Sequence, residues 1–259
     1  MDGDLSLRGT FDREAKRYGR ARPAPPEALV DAMLERGGLR PGARVLEVGC
    51  GTGQATRPLA ERGLSVHALE LGPALAELAH ASLSRYPNVT VQTGAFEDYR
   101  ADSPFDALVS VQAFHWIAPE AGLEHAASLL RPGGALLLAW HQERSQDTAF
   151  YRATDPIHRR FENPLELKRP LPDFAPDRFS SALTASLYFE GLSTSRFPWS
   201  YCYGKARYLD LLLTYSNVQA LATEAKAHLL AEIAEVIDAQ GREVERFYES
   251  VLVSACKRG

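Results

Sequence analysis

In VLEVGCGTGQ, residues 45 to 54, Glu47 precedes three glycines on alternate positions, Gly49, Gly51 and Gly53, with Cys50 and Gln54 beside them. A residue without a Cβ takes positive φ freely and lets a ligand come close to the backbone, so the stretch reads as a loop built to touch something. A ligandless βα turn is the alternative. About twenty residues further on, Glu70 is spaced to accept hydrogen bonds from both hydroxyls of a ribose, with a solvated acid as the plain reading. His115 carries an imidazole that titrates near neutrality and is followed by Trp116, which makes it a candidate base or a structural histidine.

These residues need elements to hold them. Ala43, Val45, Leu46 and Val48 form a short aliphatic run without helical period, bounded by Pro41 and Gly42, which predicts a buried strand ahead of the glycines. Gln54, Ala55, Leu59 and Ala60 have helical spacing, so the loop is expected at a helix N-terminus, where free N–H groups favour negative charge. Ser65 to Leu69 predict a second strand that ends in Glu70, and Pro73 opens a helix with Leu75, Leu78, Ala79 and Leu83 on one face. Val89 to Gln92, the strand within PFDALVSVQAFHWI, and Ala135 to Trp140 supply three more. Five strands alternating with helices over residues 43 to 140 predict an α/β, doubly wound, parallel sheet covered on both faces.

The glycine spacing is not that of a dinucleotide site, since G-x-G-x-x-G needs a small sixth residue. Counting from Gly49 the sixth is Gln54, and from Gly51 it is Thr56. The order E-x-G-x-G-x-G, Glu70, the FD strand, the HW pair and the PGG turn instead resembles the class I S-adenosylmethionine-dependent methyltransferases, over roughly residues 8 to 143. The tail, with FPWSYCY, YLDLLLTYS and ERFYESVLVSACKR, resembles a small-molecule subgroup related to trans-aconitate methyltransferase. The resemblance implies a mostly parallel seven-stranded sheet whose last strand enters antiparallel between the fifth and sixth. It implies S-adenosyl-L-methionine as cofactor, with Glu47 near its amino acid part, Glu70 on the ribose, and Ala95, Phe96 and Glu97 along the adenine. Tyr18 and Arg22 match residues that approach the methionine portion. Gly49, Cys50, Gly51, Gly53, Gln54, Leu71 and Gln112 complete the expected cofactor site. The implied activity is methyl transfer to an oxygen, nitrogen or carbon nucleophile of a small molecule. His115 is the candidate base, and Phe114, Trp116 and Trp140 are expected to line the acceptor pocket.

Four segments follow from this reading: an N-terminal cover and helix (1–38), a cofactor-binding core (39–144), a cap insert over the substrate (145–185), and C-terminal strands and helices that complete the sheet (186–259). Pro23, Pro25 and Pro26 break the chain before a helix near Glu27, which lets the preceding segment fold over the sheet. The insert carries Pro156, Pro164, Pro170, Pro172 and Pro176, and it is too long for an ordinary loop. Its basic residues Arg152, His158, Arg159, Arg160, Lys168 and Arg169 suit either a carboxylate substrate or a solvated surface.

The 259 residues are 45% hydrophobic, enough for a substantial core. No apolar run approaches a membrane span, and the first twenty residues lack a secretory apolar stretch, so a cytoplasmic protein is expected. Cys50, Cys202 and Cys256 have no metal-ligand spacing, and no metal is expected. A net charge of -4 and the lack of a lysine-rich run weigh against nucleic acid as a partner. Nothing in the sequence fixes the oligomeric state. Two other function classes remain open: an adenosine-ligand-binding regulatory module, and an NAD-dependent oxidoreductase, which the failed glycine register and the lack of a Tyr-x-x-x-Lys pair disfavour.

Overall fold

The computed structural model describes residues 15–144, 147–161, 175–241 and 243–259, with the side chains of residues 16, 18 and 216 also left undescribed. Helices α1 (Ala15–Ala21) and α2 (Glu27–Gly37) precede strand β1 (Arg44–Val48), helix α3 (Thr56–Glu61), β2 (Ser65–Glu70), α4 (Pro73–Leu83) and β3 (Val89–Thr93). Then come β4 (Phe105–Val111), α5 (Pro119–Leu129), β5 (Leu130–Arg144), α6 (Ala149–Arg160) and α7 (Ala175–Ala185). The chain ends with β6 (Phe189–Gly204), α8 (Lys205–Leu212), α9 (Ser216–Gln219), α10 (Thr223–Ala239) and β7 (Glu243–Lys257).

The sheet order is β3-β2-β1-β4-β5-β7-β6. Strands β1 to β5 pair in parallel, and β7 runs antiparallel to both β5 and β6. This is the architecture expected from the sequence, with the last strand inserted between the fifth and sixth. The order reverses at β1, whose neighbours are β2 and β4, so a crevice opens at the carboxyl ends of β1 and β4, where open α/β sheets bind ligands.

Alternate residues of the central strands fill two opposite cores, as the period of two requires. Leu46, Val48, Leu108, Leu136 and Leu138 face one side, with Phe114 and Trp140. Val45, Ala107, Val109, Leu137 and Ala139 face the other, against Leu29 and Met33 of α2. A third cluster joins α8, α10 and the outer strands, and there Leu229, Ile233 and Ile237 form the buried stripe of α10.

One local expectation changes. The helix after the glycine loop starts only at Thr56 and is six residues long, because residues 51–55 continue as turns. The described parts of the insert are the helices α6 and α7, which pack into the cores. In α7, Phe179 and Leu183 sink into the core that holds Trp140 and Phe114. In α6, Phe150, Tyr151 and Ile157 join the third cluster, and Thr148 caps the helix by accepting from Tyr151 N at 3.3 Å. The arginines of α6 stay on its surface, where Arg152 pairs with Asp147, Arg159 with Asp155 and Arg160 with Glu232, whereas His158 is buried at 1% exposure. Lys168 and Arg169 lie outside the described residues.

Candidate active site

Val48 ends β1, and the chain turns away through Gly49 at φ 74°, Gly51 at φ 60° and Gly53 at φ 94°, all in the left-handed region that favours glycine. A Cβ on Gly49 would stand 2.2 Å from Ala113 Cβ, so the loop lies hard against the end of β4. Gly49 N and Cys50 N donate to Leu69 O at 2.8 and 3.1 Å, which fastens the loop to β2. Glu70, at the end of β2, accepts from Gly51 N at 2.8 Å and from Gly72 N at 2.9 Å.

Two adjoining cavities open around this loop. One, of about 250 Å³, runs past Glu70, Leu71, Gly94, Phe96, His115 and Trp116. The other, of about 180 Å³, is walled by Glu47, Cys50, Gln54, His141, Trp199 and Tyr248, among others. Arg22, Gly49, Gly51, Val111 and Gln112 border both, so they form the passage between the two. Gln112 is the only non-glycine described at positive φ, 61°. Its Nε2 donates to His141 O at 3.0 Å and its backbone N to Ala139 O at 2.8 Å, bonds that hold a strained residue at the passage.

Glu47 is buried at 1% exposure, and its Oε2 has no hydrogen-bond partner. Loss of hydration raises its pKa from the ordinary 4.5 to about 7, with the Glu70 charge acting in the same direction. Nε2 of Gln54 is likewise buried without a partner, while its Oε1 accepts from Thr52 N at 3.2 Å. A buried carboxylate oxygen and a buried amide N–H facing a vacant cavity wall are costly unless a ligand satisfies them. The ammonium and carboxylate of an amino acid would match both, so the residues present fit the methionine end of S-adenosylmethionine.

Several expected site residues lie elsewhere. Phe114 is fully buried and Trp140 is 3% exposed, and both belong to the core; neither lines either of these two cavities. Trp140 stacks on Phe179 at 5.5 Å, where the insert helix covers it. Gly53 packs against Leu83 of α4 and serves the turn rather than a ligand. Ala95 and Glu97 are absent from both walls, and Phe96 alone represents that segment, packed on Phe114 at 5.6 Å. Tyr18 sits on α1, and its side chain lies outside the described residues. Burial pushes the Cys50 thiol well above its ordinary pKa, so it is a packing residue and no nucleophile.

His115 lines the larger cavity, but its Nδ1 accepts from Trp140 Nε1 at 3.3 Å. Since indole only donates, Nε2 carries the ring proton, and the neutral ring has no lone pair left for catalysis. Burial, with Arg178 nearby, holds its pKa at about 4. Arg178 of α7 also donates to His115 O at 3.2 Å, so the HW turn is structurally tied. The structural reading of His115 replaces the base.

The smaller cavity contains groups that sequence reasoning missed: His141 and Glu143 on β5, Trp199 on β6, Tyr215 between α8 and α9, and Tyr248 on β7. Glu143 forms an ion pair with the fully buried Arg246. Trp199 and Tyr248 stack at 4.6 Å. Among the described residues no cluster of His, Cys, Asp or Glu is arranged to hold a metal, and no helix is long and apolar enough to cross a membrane.

Comparison with known proteins agrees with this geometry. Residues 45–134 match the family model described as a methyltransferase domain. The chain is 33% identical over 171 residues to an uncharacterized methyltransferase of Mycobacterium tuberculosis, an alignment that spans 66% of each protein. Among solved structures, a candidate type II methyltransferase from Anaeromyxobacter dehalogenans is 25% identical with a TM-score of 0.64, over 92% of this chain and 97% of that one. A Haemonchus contortus phosphoethanolamine N-methyltransferase, solved with phosphomonomethylethanolamine and S-adenosylhomocysteine, shares the fold at 15% identity and a TM-score of 0.57, over 99% of this chain and 60% of that one.

Proposed function

From a chain whose residues 45–134 match a methyltransferase domain, we propose a class I S-adenosylmethionine-dependent enzyme that methylates a small organic acceptor held in the cavity beside Glu47, His141 and Trp199. The observation that carries this is the buried Glu47 carboxyl, whose Oε2 lacks a partner at the wall of a cavity that also exposes the glycine loop. A buried anion of that kind needs a cation, and the cofactor's amino group supplies one. The methyl donor is already an activated sulfonium, so the protein's work is to bind, orient and keep out water. In this reading Arg22, at the passage, takes the methionine carboxylate, and Glu70, at the wall of the larger cavity, takes the ribose.

A small acceptor is supported by the size of the cavity, about 180 Å³, and by its roof of Arg22, Pro23, Leu211 and Tyr215. The resemblance of the tail to the trans-aconitate subgroup points the same way. Calorimetric titration tests the reading. S-adenosylmethionine and S-adenosylhomocysteine should bind one to one, and NAD should not. Binding of NAD without either sulfur ligand would overturn it in favour of an oxidoreductase, and cofactor binding with no turnover on any acceptor would leave a regulatory module.

A further inference from the structure

A chain of hydrogen bonds that spans three strands reaches the smaller cavity. His141 on β5 pairs across the sheet with Ser250 on β7, which pairs in turn with Phe197 on β6, and Trp199 lies two pairs further along, opposite Tyr248. Trp199 Nε1 donates to Ser250 Oγ at 2.8 Å, and Ser250 Oγ lies 2.8 Å from His141 Nδ1. Proton positions follow from the donor inventory. The indole only donates, so Ser250 Oγ accepts from it. Ser250 is fully buried, and among the described residues its own hydroxyl has no acceptor other than His141 Nδ1. Ser250 therefore donates to Nδ1, and His141 carries its proton on Nε2, the ring atom left for the cavity.

Tyr215 adds a second donor, since it lines the same cavity and its hydroxyl has no partner among the described residues. Burial raises its pKa, so it stays protonated. Arg22 lies 4.9 Å over the Tyr215 ring and donates to Thr214 Oγ1 at 3.2 Å, which places positive charge at the rim. The negative Glu143 is neutralised by Arg246. We propose that His141 Nε2–H and the Tyr215 hydroxyl form a donor-only subsite that holds an anionic oxygen of the methyl acceptor, with Ser250 and Trp199 as positioning residues that fix the His141 tautomer.

Two features support this. Burial, with Arg22 adding to it, holds the His141 pKa at about 4, so the ring stays a neutral donor instead of taking up a proton. Charge balance also favours it: the anionic oxygen forms a bond to the methyl carbon as the carbon–sulfur pair withdraws to sulfur. A positive and a negative charge vanish together, and no proton has to leave. Such a step needs no base and gains from a dry chamber.

The inference rests on the methyltransferase reading, so cofactor binding is measured first. S-adenosylhomocysteine should bind the parent, His141→Leu, His141→Gln, Ser250→Ala and Tyr215→Phe alike; failure with the parent would sink that reading and not this one alone. The saturated proteins are then titrated with benzoate, with aliphatic mono-, di- and tricarboxylates, and with 4-nitrophenol, whose absorbance reports whether it is bound as phenolate. Carboxylate or phenolate binding to the parent, weakened about tenfold or more in His141→Leu and Tyr215→Phe and largely restored in His141→Gln, is the expected result. Ser250→Ala should weaken it less, by freeing the tautomer. The inference is overturned if His141→Leu binds these anions as the parent does, if none of the anions binds, or if only the un-ionised phenol does.

Discussion

Replacing Glu47 by glutamine tests the site without any substrate. In the native state the Glu47 carboxyl titrates at about 7, against an ordinary 4.5, because burial strips its hydration. The native chain therefore holds more protons than the unfolded chain between those two values. Stability falls as pH rises through that window, and the loss is complete once both states are ionised. The rise amounts to about 3 kcal/mol at ~1.4 kcal/mol per pH unit, and integration between about pH 5 and about pH 8 gives about 2 to 3 kcal/mol. Glutamine keeps the shape and removes the titration. Any fixed cost of burying the amide shifts the variant's curve by the same amount at every pH, so the quantity to measure is the change in the difference between the two proteins. Urea unfolding at the two pH values should show the variant gaining about 2 to 3 kcal/mol on the parent as pH rises. Cofactor binding should move oppositely: Glu47→Gln binds S-adenosylhomocysteine more weakly, and the proton that the parent releases on binding near neutral pH, seen as a buffer-dependent heat, disappears. Parallel stability curves for parent and variant would refute both the buried placement of the carboxyl and its role as the site's cation acceptor.

Glu70→Ala should weaken cofactor binding by about 1 to 3 kcal/mol, and it should also lower the melting temperature, because Gly51 N and Gly72 N lose their acceptor; unchanged affinity by calorimetry would take the ribose off this residue. Gly49→Ala combines a φ of 74° with a 2.2 Å clash at Ala113, and it should cost about 2 to 4 kcal/mol of stability in urea unfolding. Trp140→Phe should cost stability through lost packing and the lost bond to His115, with acceptor affinity intact; weakened acceptor binding at unchanged stability would put Trp140 back in the pocket wall. His115→Asn should retain turnover within about tenfold, and a loss of 100-fold or more in kcat at unchanged KM would restore it as the base.

The cofactor half was legible because one continuous stretch carries it. A strand, a glycine loop and Glu70 lie within residues 44 to 70, and their burial and backbone demands are written in residue types that do little else. Gly53 shows the limit: its positive φ was readable, but its neighbour, Leu83, comes from another helix, so packing and binding glycines look alike in sequence. Phe114 and Trp140 fail for the same reason. Phe114 follows the end of β4 and Trp140 lies within β5, near where a pocket is expected, yet Phe179 from α7 packs on both and makes that region core.

The acceptor half is illegible for a more general reason. His141, Trp199, Tyr215 and Tyr248 come from four segments, and only the antiparallel entry of β7 brings Ser250 opposite His141 and Tyr248 opposite Trp199. One-residue register shifts would leave each strand's pattern intact and reverse which side chains face the chamber. On β6 the burial simply alternates between half-buried and exposed from Ser193 to Cys202, and the half-buried positions include Ser195 and Phe197 as well as Trp199. The pattern reveals a face but not which of its members meets a ligand. Register across β5, β7 and β6 is thus the variable that selects the acceptor, since moving β7 by one residue would break the Trp199–Ser250–His141 chain while leaving Glu47, Glu70 and the glycine loop untouched. On this account, acceptor specificity can change through the outer strands with the cofactor site held constant.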